Sequence, residues 1–140
     1  MFPTSCPTGG WAAAGLFLNA FTRRDFTALS TCFDPEVRFR ALVPPGFVTI
    51  VGAADTARQF EQWFGGADVF DVVDASIGQL GDRLYLRWRV RMQAPGSPEA
   101  GRVVEQHAFA TGGERIHALD LLCSGFHTEC PTPERMETRS

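Results

Sequence analysis

The segment RLYLRWRVRM, residues Arg83 to Met92, alternates apolar and polar side chains along its whole length. Successive side chains of a β-strand point to opposite faces of the sheet, so this period of two predicts a strand. The apolar face would carry Leu84, Leu86, Trp88, Val90 and Met92, and the polar face Tyr85, Arg87, Arg89 and Arg91. We therefore expect a long central strand with one face on a core and the other in water or in a contact.

Similar strand-like segments lie on both sides of this strand, and helical patterns come before them. Turn signals such as Gly81-Asp82 and Gly112-Gly113 separate the segments. The strands are predicted over 69–80, 83–92, 102–110 and 115–124, with a shorter one over 37–42, and the helices over 11–22, 25–32 and 53–65. Asp34-Pro35 is expected to mark a break, because proline cannot continue a helix.

Helices at the front of the chain and strands at the back predict an α+β domain. We expect a cone-shaped, curved antiparallel sheet with three N-terminal helices packed on its concave face. Residues 1–10 are rich in proline and glycine and are expected to form a flexible lead, and residues 127–140 a polar tail. The domain itself would span 11–126.

Composition excludes several classes of function. The chain has 140 residues, a net charge of -3 and no apolar run long enough to span a bilayer. We expect a cytoplasmic protein that binds neither nucleic acid nor membrane. The four cysteines, at 6, 32, 123 and 130, show no CxxC spacing, so free thiols are favoured over a disulfide or zinc site. Cys123 and Cys130 could close a short loop only in an oxidising compartment.

Four local motifs resemble the NTF2-like superfamily, and within it the SnoaL-like domain. They are Phe17-Leu18-Asn19-Ala20 with the following Asp25-Phe26-Thr27-Ala28-Leu29 and Phe33-Asp34-Pro35-Glu36-Val37, Gly52 with the helix after it, Gly81-Asp82-Arg83 with Arg87-Trp88, and His107-Ala108-Phe109 with Gly113-Glu114-Arg115-Ile116. The resemblance covers residues 11–126. Families of this fold include ketosteroid isomerases, limonene epoxide hydrolases, scytalone dehydratases, polyketide cyclases and proteins that only bind or dimerise, so the fold does not decide the chemistry.

The resemblance implies a pocket between the concave face of the sheet and the helices. Its predicted wall is almost entirely apolar and consists of Phe17, Phe39, Phe60, Trp63 or Phe64, Leu86, Trp88, Val90, Leu119, Leu121 and Cys123. These residues could instead simply fill the core. A ligand in such a pocket would be a small hydrophobic or aromatic molecule.

The positions that carry acid/base chemistry in related enzymes are mostly apolar in this chain. On the ketosteroid isomerase pattern, the oxyanion-hole tyrosine falls on Phe17, the general-base aspartate near Phe39 and the protonated aspartate near Gln106. Because the two phenylalanines cannot exchange a proton, isomerase chemistry of that kind is not expected. The aspartate that cyclases and epoxide hydrolases place on the last strand falls on Leu121, and a shift of one residue would exchange it with Asp120.

Two alternating sets of side chains compete for the pocket on the strand over 102–110. If Glu105 and His107 face inward, the carboxylate would orient an imidazole that acts as general acid and base. If they face outward, they would meet the arginines of the neighbouring strand, on the face where this fold often dimerises. His107 and His117 lack a third metal ligand, so no metal is expected. A buried inert thiol is favoured over a nucleophile at Cys123.

The leading hypothesis is cofactor-free acid/base chemistry, such as cyclisation, isomerisation or dehydration of a polyketide-like or terpenoid-like substrate. In it, His107 shuttles the proton, Asp120 is the carboxylate, Gln106 holds a carbonyl oxygen and Glu105 orients the imidazole. The alternative is a non-catalytic module that binds a small molecule or dimerises. In either case we expect a homodimer formed through the convex face of the sheet.

Overall fold

The computed structural model describes residues 8–44, 46–93, 101–125 and 127–128. Within these ranges the chain forms three helices and seven strands. In chain order they are α1 (Thr8–Thr22), α2 (Phe26–Thr31), β1 (Phe33–Val43), β2 (Gly46–Val51), α3 (Ala53–Phe64), β3 (Val69–Leu80), β4 (Arg83–Gln93), β5 (Arg102–Gly112), β6 (Ile116–Cys123) and β7 (His127–Thr128). The predicted α+β class and its three helices are confirmed.

The strands form one sheet in the order β2-β1-β6-β5-β4-β3, and β7 pairs with β5. Neighbouring strands run antiparallel except β1 and β6, which pair in parallel. The sheet is therefore mixed rather than purely antiparallel as expected. The first strand lies in the interior of the sheet, between β2 and the last long strand, β6.

Several element boundaries differ from the predicted ones. Helix α1 begins at Thr8, inside the predicted lead, and β7 lies at the start of the predicted tail. Strand β1 also continues through Asp34-Pro35, where a break was expected. Its register against β6 is irregular between Phe33 and Arg38, so the ladder is interrupted at the point where proline has no N–H to donate. Residues 1–7 and 129–140 of the predicted lead and tail lie outside the described residues.

The helices cover one face of the sheet, which we call the inner face, and leave the opposite outer face uncovered. Helix α1 contacts β3, β4 and β6, whereas α3 contacts β1 and β2. Thr56, Ala57, Phe60 and Phe64 of α3 are buried, a spacing of three and four residues that places one stripe of the helix against the sheet. On β4, Leu86, Trp88 and Val90 are all buried, as the alternation of that strand predicts.

Aromatic rings fill the space between the helices and the inner face. Trp88 lies 5.4 Å from Phe17, 5.0 Å from Phe21 and 6.4 Å from Phe60 between ring centroids. Phe60 in turn packs edge-on against Phe17 at 5.7 Å, within the range typical of favourable aromatic pairs. Each of these rings is fully buried, so the aromatic cluster forms the centre of the core.

The connection between α1 and α2 fastens the helices to each other. Arg24 adopts a left-handed backbone conformation with φ 52°. Its guanidinium donates hydrogen bonds to the carbonyl oxygens of Phe64, at 3.0 Å, and Ala67, at 2.9 Å, at the end of α3. A cation at the carboxyl end of a helix also favours the helix dipole. Arg24 thus holds the end of α3 against the α1–α2 turn.

Candidate functional site

A row of inward-facing side chains crosses four strands near one end of the inner face. Leu42 pairs with Leu122, which sets Val43 of β1 beside Cys123 of β6. Cys123 lies opposite Gln106 of β5, and Gln106 lies opposite Trp88 of β4. Val43 and Cys123 are half-buried, whereas Gln106 and Trp88 are fully buried. The row therefore leads from a partly exposed thiol to a buried amide.

The amide of Gln106 has a fixed orientation and a donor without a partner. Trp88 Nε1 donates a hydrogen bond of 2.8 Å to Gln106 Oε1. An indole N–H can only donate, so the atom that receives it must be the amide oxygen and not the nitrogen. Gln106 Nε2 makes no hydrogen bond within the described part of the chain. Buried polar groups are nearly always paired, which makes this donor exceptional.

The predicted pocket wall is found on the inner face, mostly as core. Eight of its residues are 3% exposed or less: Phe17, Phe39, Phe60, Leu86, Trp88, Val90, Leu119 and Leu121. Phe64, the alternative to Trp63, is fully buried as well. Trp63 and Cys123 remain half-buried and pack against the same core. The inward orientation is as expected for every member, whereas a cavity enclosed by them stays a prediction.

The chain after β6 folds back onto the thiol. The backbone N–H of Gly125 donates to Cys123 Sγ at 3.4 Å. Gly125 has φ 85°, and a Cβ at this position would lie 2.7 Å from Pro44 Cγ. Only glycine combines that backbone conformation with that close approach. The turn therefore orients a backbone donor toward the sulfur at the partly exposed end of the row.

Glu105 and His107 lie on the outer face, on the side opposite Gln106. The imidazole Nε2 of His107 is 2.7 Å from Glu105 Oε2, and its Nδ1 is 2.5 Å from the hydroxyl of Tyr85. Arg89 donates to the other carboxylate oxygen, Glu105 Oε1, at 2.9 Å. The hydrogen bonds from Arg89, with a further contribution from His107, lower the pKa of the Glu105 carboxyl. Four side chains of two strands thus form one hydrogen-bonded chain.

Asp120 also faces outward, while its neighbour Leu121 faces the core. Arg40 makes a bidentate contact with the Asp120 carboxylate, through Nε at 2.8 Å and through its terminal nitrogen at 2.9 Å. The Arg40 guanidinium lowers the pKa of that carboxyl. Of the four residues predicted to carry catalysis, only Gln106 lies on the inner face. Of the alternatives left open by the sequence, the fold therefore places Gln106 inward and Glu105, His107 and Asp120 outward.

The outer face combines paired charges with an exposed apolar strip. Arg87 pairs with Asp74 at 2.9 Å and Arg91 with Asp71 at 3.8 Å, beside the two ion pairs already described. A groove of about 350 Å³ includes the Arg40–Asp120 pair and is lined by Arg40, Leu42, Phe47, Phe109, Asp120, Leu121 and Leu122. Leu42, Phe47 and Leu122 are 52%, 64% and 51% exposed, which is unusual for side chains of this size on one face.

Two of these contacts are not predicted by the pattern of either strand alone. Alternation places Tyr85 on the polar face of β4 and Trp88 on the apolar face, but it does not show their bonds to His107 and Gln106. Both pairs join neighbouring strands, so only the register between β4 and β5 reveals them. A search for polar residues at matching positions of the two predicted strands could have found both.

In the described residues, no cluster of three or more histidine, cysteine, aspartate or glutamate side chains could hold a metal ion. Cys32 and Cys123 are free thiols there, and burial raises the pKa of Cys32. The described helices include none long and apolar enough to cross a membrane.

The mixed sheet, the three helices on one face and the apolar interior define a protein of the NTF2-like class. Residues 15–118 match the family model of the SnoaL-like domain, and the chain belongs to this family. The search of curated proteins found no match.

Solved structures share the fold at low sequence identity. An LEH-like epoxide hydrolase of M. tuberculosis is 18% identical, with 84% of each chain covered and a TM-score of 0.64. A hypothetical protein of Catenulispora acidiphila with a ketosteroid isomerase-like fold, in complex with trimethylamine, is 17% identical, with 78% of this chain and 82% of that chain covered and a TM-score of 0.64. An NTF2-like protein of Burkholderia xenovorans is 10% identical, with coverage of 86% and 93% and a TM-score of 0.64. At these identities the likeness concerns the fold alone.

Proposed function

We propose that this SnoaL-like protein binds a small hydrophobic or aromatic molecule that carries a carbonyl oxygen, at the inner face of its sheet. The observation that carries the proposal is the unpartnered Nε2 donor of Gln106, held in place by Trp88 in an apolar interior. A carbonyl oxygen of a ligand would satisfy this donor. The aromatic and aliphatic side chains around it would hold the rest of the molecule by shape.

The polar content of the interior favours binding over acid/base chemistry at this place. Thr56 and Gln106 are the buried polar side chains among the described residues, and neither exchanges a proton near neutral pH. The remaining candidates for proton transfer face outward. A neutral amide can orient a carbonyl group and lower the energy of a developing oxyanion, but it needs another group to move the proton.

A matched pair of probes tests the binding proposal. We expect 4-phenylbutan-2-one to bind the full chain, measured by isothermal titration, and n-butylbenzene, which lacks the carbonyl oxygen, to bind about tenfold more weakly. Gln106→Leu should lower the affinity for the ketone to that for the hydrocarbon. It should leave the affinity for the hydrocarbon unchanged. Equal affinity of wild type and variant for the ketone would contradict the role of Gln106, and failure of both probes to bind would refute the proposal.

The second candidate is the acid/base function, carried by the outer face. Its support is the chain from Tyr85 through His107 to Glu105, in which a carboxylate fixes the imidazole and the imidazole contacts a phenol. Such a relay could move a proton at an enolisable ketone, the first step of an isomerisation or cyclisation. We expect deuterium exchange at the α-carbons of 4-phenylbutan-2-one, followed by NMR, to be accelerated by wild type and not by His107→Gln. If the exchange rates with both proteins equal the rate in buffer alone, the acid/base function is refuted and binding remains the proposed function.

We also propose that two copies associate through the outer face. The supporting features are the exposed strip of Leu42, Phe47 and Leu122 and the ion pairs beside it. Because these charges are already paired within one copy, a second copy could cover them without burying an unpaired charge. A stable dimer of this kind buries about 1,600 Å² in total.

The oligomeric state is testable with a pair of charge substitutions. Sedimentation at micromolar concentration should give a dimer for wild type and a monomer for Leu122→Glu, because a carboxylate would enter the apolar strip. Leu16→Glu is the matched control: Leu16 is 60% exposed on α1, away from the outer face, and its replacement should leave the dimer intact. A monomeric wild type would refute the association.

A further inference from the structure

We propose that Cys123 and Gln106 together form a reversible covalent site for α,β-unsaturated carbonyl compounds. The inference deepens the proposed binding function and rests on it. It adds a covalent bond between the ligand and Cys123, a residue for which the sequence favours an inert thiol in the pocket wall. Two independent observations meet at this place: a partly exposed thiol and a buried amide donor without a partner.

The two groups are close because of the register of the sheet. Gln106 and Cys123 are directly opposed partners on β5 and β6, and both side chains belong to the inner face. Directly opposed side chains of neighbouring strands have their Cβ atoms about 5 Å apart. The amide oxygen of Gln106 is engaged by Trp88 on the β4 side, so its nitrogen, which diverges from the same carbon, is directed away from β4.

The surroundings of the sulfur suit a nucleophile better than those of the other described thiol. Cys123 is half-buried, and its sulfur accepts a hydrogen bond from the backbone N–H of Gly125. Cys32 is 4% exposed, and its thiol donates to the carbonyl oxygen of Ala28 within α2. Cys32 therefore serves as an internal reference for an inert thiol in the same chain.

The reaction requires only the two partners and conserves all atoms. The Cys123 sulfur forms a C–S bond at the β-carbon of the conjugated system. The C=C electron pair shifts toward the carbonyl oxygen, and the resulting enolate oxygen accepts a hydrogen bond from Gln106 Nε2. The thiol proton ends on the α-carbon, which gives a saturated thioether, and elimination reverses the step. An oxyanion that forms beside a preorganised donor is the arrangement that accelerates such additions.

The probe is 4-phenylbut-3-en-2-one, the unsaturated counterpart of the ketone used above. Intact-protein and peptide mass spectrometry on the full chain should show an adduct at Cys123, with a rate that saturates with probe concentration, and at most a trace at Cys32. The saturated ketone should compete with labelling. Gln106→Leu should slow the labelling of Cys123 about tenfold, which corresponds to one hydrogen bond.

A second reagent separates recognition of the carbonyl from simple access to the sulfur. Methyl methanethiosulfonate reacts with thiols and carries no carbonyl group, so Gln106→Leu should leave its rate at Cys123 within a factor of about two. If Gln106→Leu slows the reaction of Cys123 with both reagents equally, the variant acts through a structural change and the proposed role of Gln106 is overturned. If Gln106→Leu does not fold, the pair Trp88→Phe/Gln106→Leu replaces both hydrogen-bond partners and is measured in its place.

Failure of this inference can be told apart from failure of the binding function. If the saturated ketone binds wild type and Cys123→Ser alike but the enone forms no saturable adduct, the covalent site is refuted and binding stands. If the ketone does not bind and Cys123 reacts without saturation, at the rate of glutathione, both proposals are overturned. Saturable labelling that the ketone blocks supports both.

Discussion

The hydrogen bond between Trp88 and Gln106 makes the sharpest prediction about stability. In Gln106→Leu the indole N–H stays buried without an acceptor, which costs about 1–3 kcal/mol, but the variant also removes an amide donor that is already unpaired. The two effects are of similar size and opposite sign. We therefore expect the free energy of unfolding to change by less than about 1 kcal/mol.

Replacing the tryptophan instead should be costly. In Trp88→Phe the amide oxygen of Gln106 loses its donor and becomes unpaired in the core like the nitrogen, and the smaller ring leaves a gap among its neighbours. We expect a loss of about 2–4 kcal/mol. In the Gln106→Leu background the same substitution leaves the gap but also removes the unpaired indole N–H, so its cost should fall by at least about 1–2 kcal/mol. This difference is the coupling energy of the pair.

The assay is urea unfolding of the four proteins, followed by circular dichroism because tryptophan fluorescence changes with the substitution. Trp63→Phe provides the control, since this half-buried ring packs against Phe39 and Phe60 and has no bond to Gln106. Its effect should add to that of Gln106→Leu within about 0.5 kcal/mol. A coupling between Trp88 and Gln106 below that level would refute the hydrogen bond and, with it, the assigned orientation of the amide.

Two further predictions concern the charged residues. Arg24→Ala should lower the free energy of unfolding by about 2 kcal/mol, because the end of α3 loses its cation and two hydrogen bonds, whereas Arg23→Ala, at an exposed neighbour, should cost less than about 0.5 kcal/mol in the same urea titration. Arg40→Met should lower the free energy of unfolding slightly at pH 7, as is typical of a surface ion pair, and repeating the titrations at lower pH tests the cause. Since Arg40 lowers the folded-state pKa of Asp120, its contribution is complete above the ordinary value of 3.8 and is lost as the pH falls through the folded value. A difference between wild type and variant that stays constant down to pH 2 would contradict the pairing.

Much of the secondary structure could be read from the alternation and the turn residues. The strand over 69–80 has the predicted bounds, and β4, β5 and β6 differ from theirs by one or two residues. Period-two alternation identifies which residues share a face, and it placed Leu86, Trp88 and Val90 together on the core side as the structure has them. The signal is local because each strand carries its own pattern of burial.

The candidate site was only partly predictable, because alternation groups side chains without naming the face that the helices cover. On β5 one set contains Glu105 and His107, and the other contains Gln106 and Ala108. By the pattern of the strand alone, either set could face the core. Packing decided between them: a buried carboxylate would need a desolvated partner, whereas one amide can be satisfied by an indole. The same choice on β6 placed Leu121 inside and Asp120 beside Arg40.

The sequence by itself determined the α+β class, the helix and strand segments and the apolar character of the interior, since these follow from periodicity and composition. Only the tertiary structure decided the parallel pairing of β1 with β6, the bond of Trp88 to Gln106 and the position of Cys123 opposite that amide. These contacts join residues far apart in the chain, and strand register, which sets them, depends on how the whole sheet packs against its helices.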